Sequence, residues 1–114
     1  MRIIIKATNI KLTESLKKFI EGKIGGLGKF LENFLKKEDI FDGKKPRANI
    51  YVEVGRLSKH HRKGDVFYAE CQLLLPGKKL ARSESKKEDL REAICEVKDE
   101  LQRILKKYKE TGKI

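Results

Sequence analysis

The chain has no apolar run long enough to cross a bilayer, only two cysteines in 114 residues, and no glycine loop of the phosphate-binding type. The first absence excludes a spanning helix, which needs about 20 consecutive apolar residues. The cysteines, Cys71 and Cys95, lie in apolar-patterned segments with no second ligand at metal-motif spacing, and the histidines are the adjacent pair His60 and His61. That spacing argues against zinc and against a disulfide scaffold. It predicts two reduced, buried thiols in an intracellular, cytoplasmic protein. Met1 to Ala7 holds one short apolar run and then turns polar, so no secretory signal is expected. No histidine has a motif partner, no G-x-x-x-x-G-K-[ST] loop exists, and no carboxylate cluster suits a metal. The expectation is a protein that is not an enzyme and holds no cofactor or metal. Repeats, low-complexity tracts and linkers are also missing, so residues 1–114 are expected to form a single domain.

Charge of one sign is scarce too. There are 17 Asp and Glu against 28 Lys and Arg, a net +11 with a pI near 9.7. A surface of such potential attracts phosphates, which makes a polyanion the expected partner and nucleic acid its first candidate. An anionic membrane surface is the second, but the charge is spread through the chain with no apolar segment to insert. A charged thermophile-type surface would account for the 39% of charged residues but not for their sign.

The stretch Ser85 to Lys109 reads as one amphipathic helix. Leu90, Ala93, Ile94, Val97, Leu101, Ile104, Leu105 and Tyr108 recur at steps of three and four and fall on one stripe. Ser85 with Glu88 fits a capping box, so the helix is expected to start there. Its acids occupy the first half, and Arg103, Lys106, Lys107 and Lys109 crowd the last turns, a polarity the helix dipole favours. Ahead of it, Arg2 to Ala7 suits a first strand. Thr13 is a good N-cap for a first helix carrying Leu16, Phe19, Ile20, Ile24 and Leu27. Gly22, Gly25, Gly26 and Gly28 each cost about 1 kcal/mol in a helix interior, so fraying or a bend is expected there. Leu31, Phe34 and Leu35 then either extend this helix to about Lys37 or form a second short one. Residues 36–47 read as a loop, Ala48 to Val54 as an alternating strand, and 55–65 as a basic hairpin loop containing Arg56, Lys59, His60, His61, Arg62 and Lys63. Val66 to Leu75 is the next strand, Pro76 and Gly77 turn the chain, and Leu80 to Ser85 is the last strand. The expected class is therefore α+β: β-α-β-β-β-α, a four-stranded sheet with two helices packed on one face.

With these residues in order, the chain resembles the ribosome hibernation-promoting factors, the family that includes ribosome-associated inhibitor A and was once called sigma-54 modulation protein. The match covers most of the chain in three pieces. The first is Leu12, Thr13, Leu16, Phe19, Ile20, Lys23, Ile24, Leu27, Lys29 and Phe30. The second is Ala69-Glu70-Cys71 with Leu75-Pro76-Gly77. The third is Glu88-Asp89-Leu90, Ala93-Ile94, Asp99, Leu101, Arg103, Leu105, Lys107, Tyr108 and Lys109. Departures are a longer segment between Leu31 and Arg47, Glu100 where lysine is common, and the glycines of the first helix. The chain also stops soon after the second helix, where long-form members carry a dimerisation domain, so pairing of ribosomes by this chain alone is not implied.

The resemblance implies a layout like that of double-stranded RNA-binding domains. It also implies binding to the small ribosomal subunit and its rRNA, in the channel of messenger and transfer RNA, with translation silenced and idle ribosomes protected under stress. No small-molecule substrate and no membrane is implied, and the protein is expected to be a monomer off the ribosome. The candidate rRNA-binding residues are Lys23 and Lys29 on the first helix, with Lys17 and Lys18 as bystanders. On and before the second helix they are Arg82, Lys86, Lys87, Arg91, Lys98, Arg103, Lys106, Lys107 and Lys109. Each alone could be a solvated charge; together on two adjacent helices they would form a rail that replaces counterions on a phosphate backbone. Tyr51 and Tyr68 are expected on the opposite sheet face, as packing or exposed residues or as a base-stacking platform. A general double-stranded RNA-binding module and a protein-interaction adaptor are the alternative functions.

Overall fold

The computed structural model of the chain describes residues 2–34, 49–57, 66–75 and 79–111. The loop 36–47, the loop residues Lys59, His60, His61, Arg62 and Lys63, the end of the first helix beyond Phe34, and the Pro76-Gly77 turn lie outside the described residues. The elements are β1 (Arg2–Thr8), α1 (Glu14–Phe34), β2 (Asn49–Arg56), β3 (Phe67–Leu75), β4 (Lys79–Lys87) and α2 (Leu90–Thr111). They form one sheet in the order β1-β2-β3-β4, with β1 parallel to β2 and the two following pairs antiparallel. Consecutive antiparallel strands can be joined by short hairpins, whereas the parallel β1–β2 pair needs a crossover, which α1 supplies. Strands β1, β2 and β4 thus share one direction. Both helices return against it and run parallel to each other.

The strand alternation sorts side chains to two faces. Ile3, Ile5 and Ala7, then Ile50, Val52 and Val54, then Ala69, Cys71 and Leu73, then Ala81, Ser83 and Ser85 point to the helices. The core forms between these residues, the stripe Leu16, Phe19, Ile20, Ile24 and Leu27 of α1, and the stripe Leu90, Ala93, Ile94, Val97, Leu101, Ile104, Leu105 and Tyr108 of α2. The small side chains of β4 let α2 lie close over β4 and β3. Ser83 Oγ is buried in this contact with no hydrogen-bond partner among the described residues. α1 lies beside α2 on the same face.

Helix α1 starts as expected. Thr13 Oγ1 accepts from the Leu16 N–H at 3.1 Å, and the Thr13 carbonyl accepts from the Lys17 N–H at 2.9 Å. Contrary to the expected fraying, α1 continues without a break through its glycines to Phe34. Burial of Ile20, Ile24 and Leu27 to 1% exposure or less outweighs the local backbone cost. Helix α2 starts later than the capping-box pattern predicts. Ser85 belongs to β4, paired with Ala69, and its hydroxyl donates to Glu96 Oε1 at 3.0 Å. Asp89 is the cap instead: its Oδ1 accepts from the Arg91 N–H at 2.9 Å, and its carbonyl from the Ala93 N–H at 3.1 Å. Ladder pairing carries β4 two residues past its predicted end, to Lys87, and overrides the local signal. Both cysteines are free thiols, but only Cys71 is buried; Cys95 is half-buried because it sits one step off the apolar stripe.

Candidate nucleic-acid interface

The two broad surfaces of the molecule differ in chemistry. On the open sheet face the register aligns cross-strand rows. One row is Lys6, Glu53, Glu70 and Glu84, and its neighbour is Ile4, Tyr51, Gln72 and Arg82. Arg82 Nη2 pairs with Glu70 Oε2 at 3.1 Å and Glu84 Oε2 at 3.4 Å. Hydrogen bonds from Gln72 and then Arg82 hold the Glu70 carboxyl below its usual value. Ile4, Tyr51, Leu74 and Leu80, exposed by 36 to 51%, also sit on this face. Tyr51 and Tyr68 are on the predicted face. The Tyr68 ring lies over Gly55, and its hydroxyl donates to Glu53 Oε2 at 2.5 Å. Burial first, then this bond, raises the Tyr68 hydroxyl above its ordinary value. A carboxylate row across the centre of the sheet does not suit a polyanion.

The helical layer carries both signs, but its exposed carboxylates Glu14, Glu21, Glu92, Glu96, Asp99 and Glu110 are outnumbered by cations. Lys23 and Lys29 on α1, and Arg91, Arg103, Lys106, Lys107 and Lys109 on α2, are exposed. Among the described residues, no carboxylate pairs with Lys23, Lys29, Arg91, Lys106 or Lys109. Lys98 is half-buried and pairs loosely with Asp99 at 3.7 Å. Lys87 Nζ pairs with Glu96 Oε2 at 3.0 Å, which with the Ser85 hydroxyl lowers the Glu96 carboxyl and joins β4 to α2. Beside Lys29, the glycines Gly22, Gly25, Gly26 and Gly28 line an open groove of about 750 Å³ that reaches Ile3.

Of the eleven candidate residues, the fold therefore gathers Lys23, Lys29, Arg91, Lys98, Arg103, Lys106, Lys107 and Lys109 on two adjacent parallel helices. Lys87 lies beneath them, turned toward α2. It does not bring in Arg82 and Lys86, which alternate with the buried Ala81, Ser83 and Ser85 and so face the other way. One contact at the seam between the helices was not visible beforehand. Phe19, expected only as a core residue, has the Arg91 guanidinium 5.1 Å and the Lys23 amino group 5.9 Å from its ring centre. Arg91 Nη2 also reaches Ser15 Oγ at 3.5 Å. The four-residue spacing of Phe19 and Lys23 was a legible sign; the approach of Arg91 was not.

Among the described residues, no three His, Cys, Asp or Glu side chains are grouped to hold a metal, and no helix is long and apolar enough to cross a membrane. The fold thus defines a class: an α+β domain with a mixed four-stranded sheet, two parallel helices on one side, and cations on the outer surface of those helices. The chain belongs to the family described as sigma 54 modulation protein / S30EA ribosomal protein, whose family model matches residues 3–113. That is a family of ribosome-associated modulation factors, not of enzymes. The chain is similar in fold to the Protein Y N-terminal domain of Thermus thermophilus, with 23% identity and a TM-score of 0.69 over 95% of this chain and 99% of that one. It is likewise similar to a ribosomal subunit interface protein of Coxiella burnetii, with 17% identity and a TM-score of 0.65 over 97% of this chain and all of the other. No curated protein sequence matches it significantly.

Proposed function

We propose that this chain is a hibernation factor that binds rRNA of the small ribosomal subunit in the messenger and transfer RNA channel, silencing and protecting idle ribosomes under stress. It would act in the cytoplasm, as a single domain and a monomer off the ribosome. The observation that carries the reading is the excess of exposed cations over exposed carboxylates on α1 and α2, in a chain of this family, opposite a sheet face on which Glu53, Glu70 and Glu84 offset Lys6, Arg82 and Lys86. Such a layer can follow a folded RNA by its phosphates and shape without reading bases. The contacts proposed are Lys23, Lys29, Arg91, Lys98, Arg103, Lys106, Lys107 and Lys109, with Lys87 at the margin; Arg82 and Lys86 would lie outside the footprint.

Sedimentation with purified small subunits tests this directly. The protein should travel with the subunit at low salt, dissociate as salt rises, and be displaced by bound messenger and transfer RNA. No cosedimentation at low salt refutes the reading. Reversing Arg103, Lys107 and Lys109 to Glu should weaken binding and flatten the slope of log affinity against log salt by about two to three. The circular dichroism spectrum should stay that of the native fold. Equal affinity for arbitrary duplexes would instead favour a general double-stranded RNA binder. The exposed Ile4, Tyr51, Leu74 and Leu80 favour an adaptor as the second reading, which a partner retained after nuclease treatment would support.

A further inference from the structure

We infer that Phe19 is a positioning residue: its ring holds Lys23 of α1 and Arg91 of α2 as one cationic clamp, aimed at the phosphate backbone of RNA across the seam between the helices. The inference rests on the function proposed above and names which cations act as a unit. Both cationic groups lie within 6 Å of one ring centre, Lys23 from the same helix and Arg91 from the neighbouring one. Phe19 is partly buried against the core, so the ring has a fixed base. The faces of an aromatic ring attract cations through its quadrupole. A carboxylate in the same place would neutralise them and occupy their donors. The ring does neither: a guanidinium near it keeps its charge, and the N–H groups that Ser15 does not take remain available to phosphate oxygens.

The surroundings agree. Ser15 Oγ, at 3.5 Å from Arg91 Nη2, steadies the guanidinium on the α1 side without changing its charge. Among the described residues, neither Lys23 nor Arg91 is ion-paired, in contrast to Lys87 and Lys98, which are bound to carboxylates. The Asp89 cap fixes the first turn of α2, from which Arg91 projects, through its bond to the Arg91 N–H itself. The clamp therefore has an anchored ring, an anchored backbone and two charges drawn to one place. Because it joins both helices, it would also set their spacing along a bound strand.

The test is equilibrium binding of the full chain to purified small ribosomal subunits, measured across a salt series for wild type, Phe19→Leu, Arg91→Lys and Lys23→Gln. Leucine keeps the apolar contact with the core but removes the quadrupole; lysine at 91 keeps the charge but loses the planar fork. Phe19→Leu and Arg91→Lys should each weaken binding about two- to fivefold with the salt slope unchanged, since neither removes a charge. Combined, the two should weaken it by less than the product of their separate effects, because both disturb the contact between Phe19 and Arg91. Lys23→Gln should lower both the affinity and the salt slope. Retained helical circular dichroism separates these effects from unfolding, and should Phe19→Leu fail to fold, Arg91→Lys carries the test. Wild-type affinity in both Phe19→Leu and Arg91→Lys overturns the clamp while leaving the ribosomal reading standing. Absence of binding by the wild-type protein overturns the reading itself.

Discussion

Two kinds of glycine occur here, and they call for opposite substitutions. A Cβ at Gly55 would lie 2.6 Å from the Thr8 carbonyl oxygen of the parallel neighbour and 2.7 Å from the Tyr68 ring. The first of these is backbone and cannot swing away. Gly55→Ala should therefore cost about 1 to 3 kcal/mol as an overpacked site. At Gly22, Gly25 and Gly26 a Cβ would meet nothing within 4 Å. Alanine at each should stabilise α1 by roughly 0.5 to 1 kcal/mol, seen as a higher urea midpoint with an unchanged slope. The thiols divide in the same way. Burial above all, with Glu70 adding to it, pushes the Cys71 thiol up to about 12. The half-buried Cys95 should accordingly be alkylated first at neutral pH, and Cys95→Ser should leave a protein that reacts only on unfolding.

At the scale of elements, α2 shows which local signals survive tertiary structure. Its apolar stripe did: Leu101 is fully buried, and Leu101→Ala should cost roughly 2 to 5 kcal/mol by calorimetry or denaturant unfolding. Its start did not. Ser85 and Glu88 satisfy a capping pattern by spacing alone, but Ser85 is committed to the β4 ladder and Asp89 caps the helix. Asp89→Ala should lower stability by about 1 kcal/mol. Ser85→Ala should act through the lost bond to Glu96 and leave helix content unchanged. Reversed outcomes, with helix content falling only in Ser85→Ala, would restore the earlier start. In α1 the same balance of scales kept a glycine-rich segment helical, because one side of it is sealed in the core.

For the whole molecule, charge acts on folding and binding with opposite signs. The excess of cations repels itself in the folded chain, so added salt should raise the melting temperature while it weakens attachment to ribosomes. A protein whose stability and binding fall together with salt would contradict this. Acid acts through two carboxyls. Glu70, held low by Gln72 and Arg82, and Glu96, held low by Lys87 and Ser85, both titrate below their ordinary value of 4.5 in the folded state. Their contribution is present above that value and is lost as pH falls through the lower folded values. Thermal melts from pH 6 down to 3 should show stability falling at the acid end, less steeply in a Glu70→Gln, Glu96→Gln variant.

Much was legible in periodicity. The element order, the stripes of both helices, the alternation of β2 and the placement of Tyr51 and Tyr68 away from the helices all follow from repeats of 3.6 and 2, which local sterics impose before the chain packs. The basic end of α2 was equally plain. Pairing and adjacency were not. That β1 lies parallel beside β2, that β4 runs to Lys87, and that Arg82 and Lys86 turn from the helices are set by register between distant segments. The meeting of Phe19, Lys23 and Arg91 is of the same kind. Composition and spacing established that the chain carries an excess of cations; only the packing of α1 beside α2 decided which of them share a surface, because that choice is made by contacts between residues more than seventy positions apart.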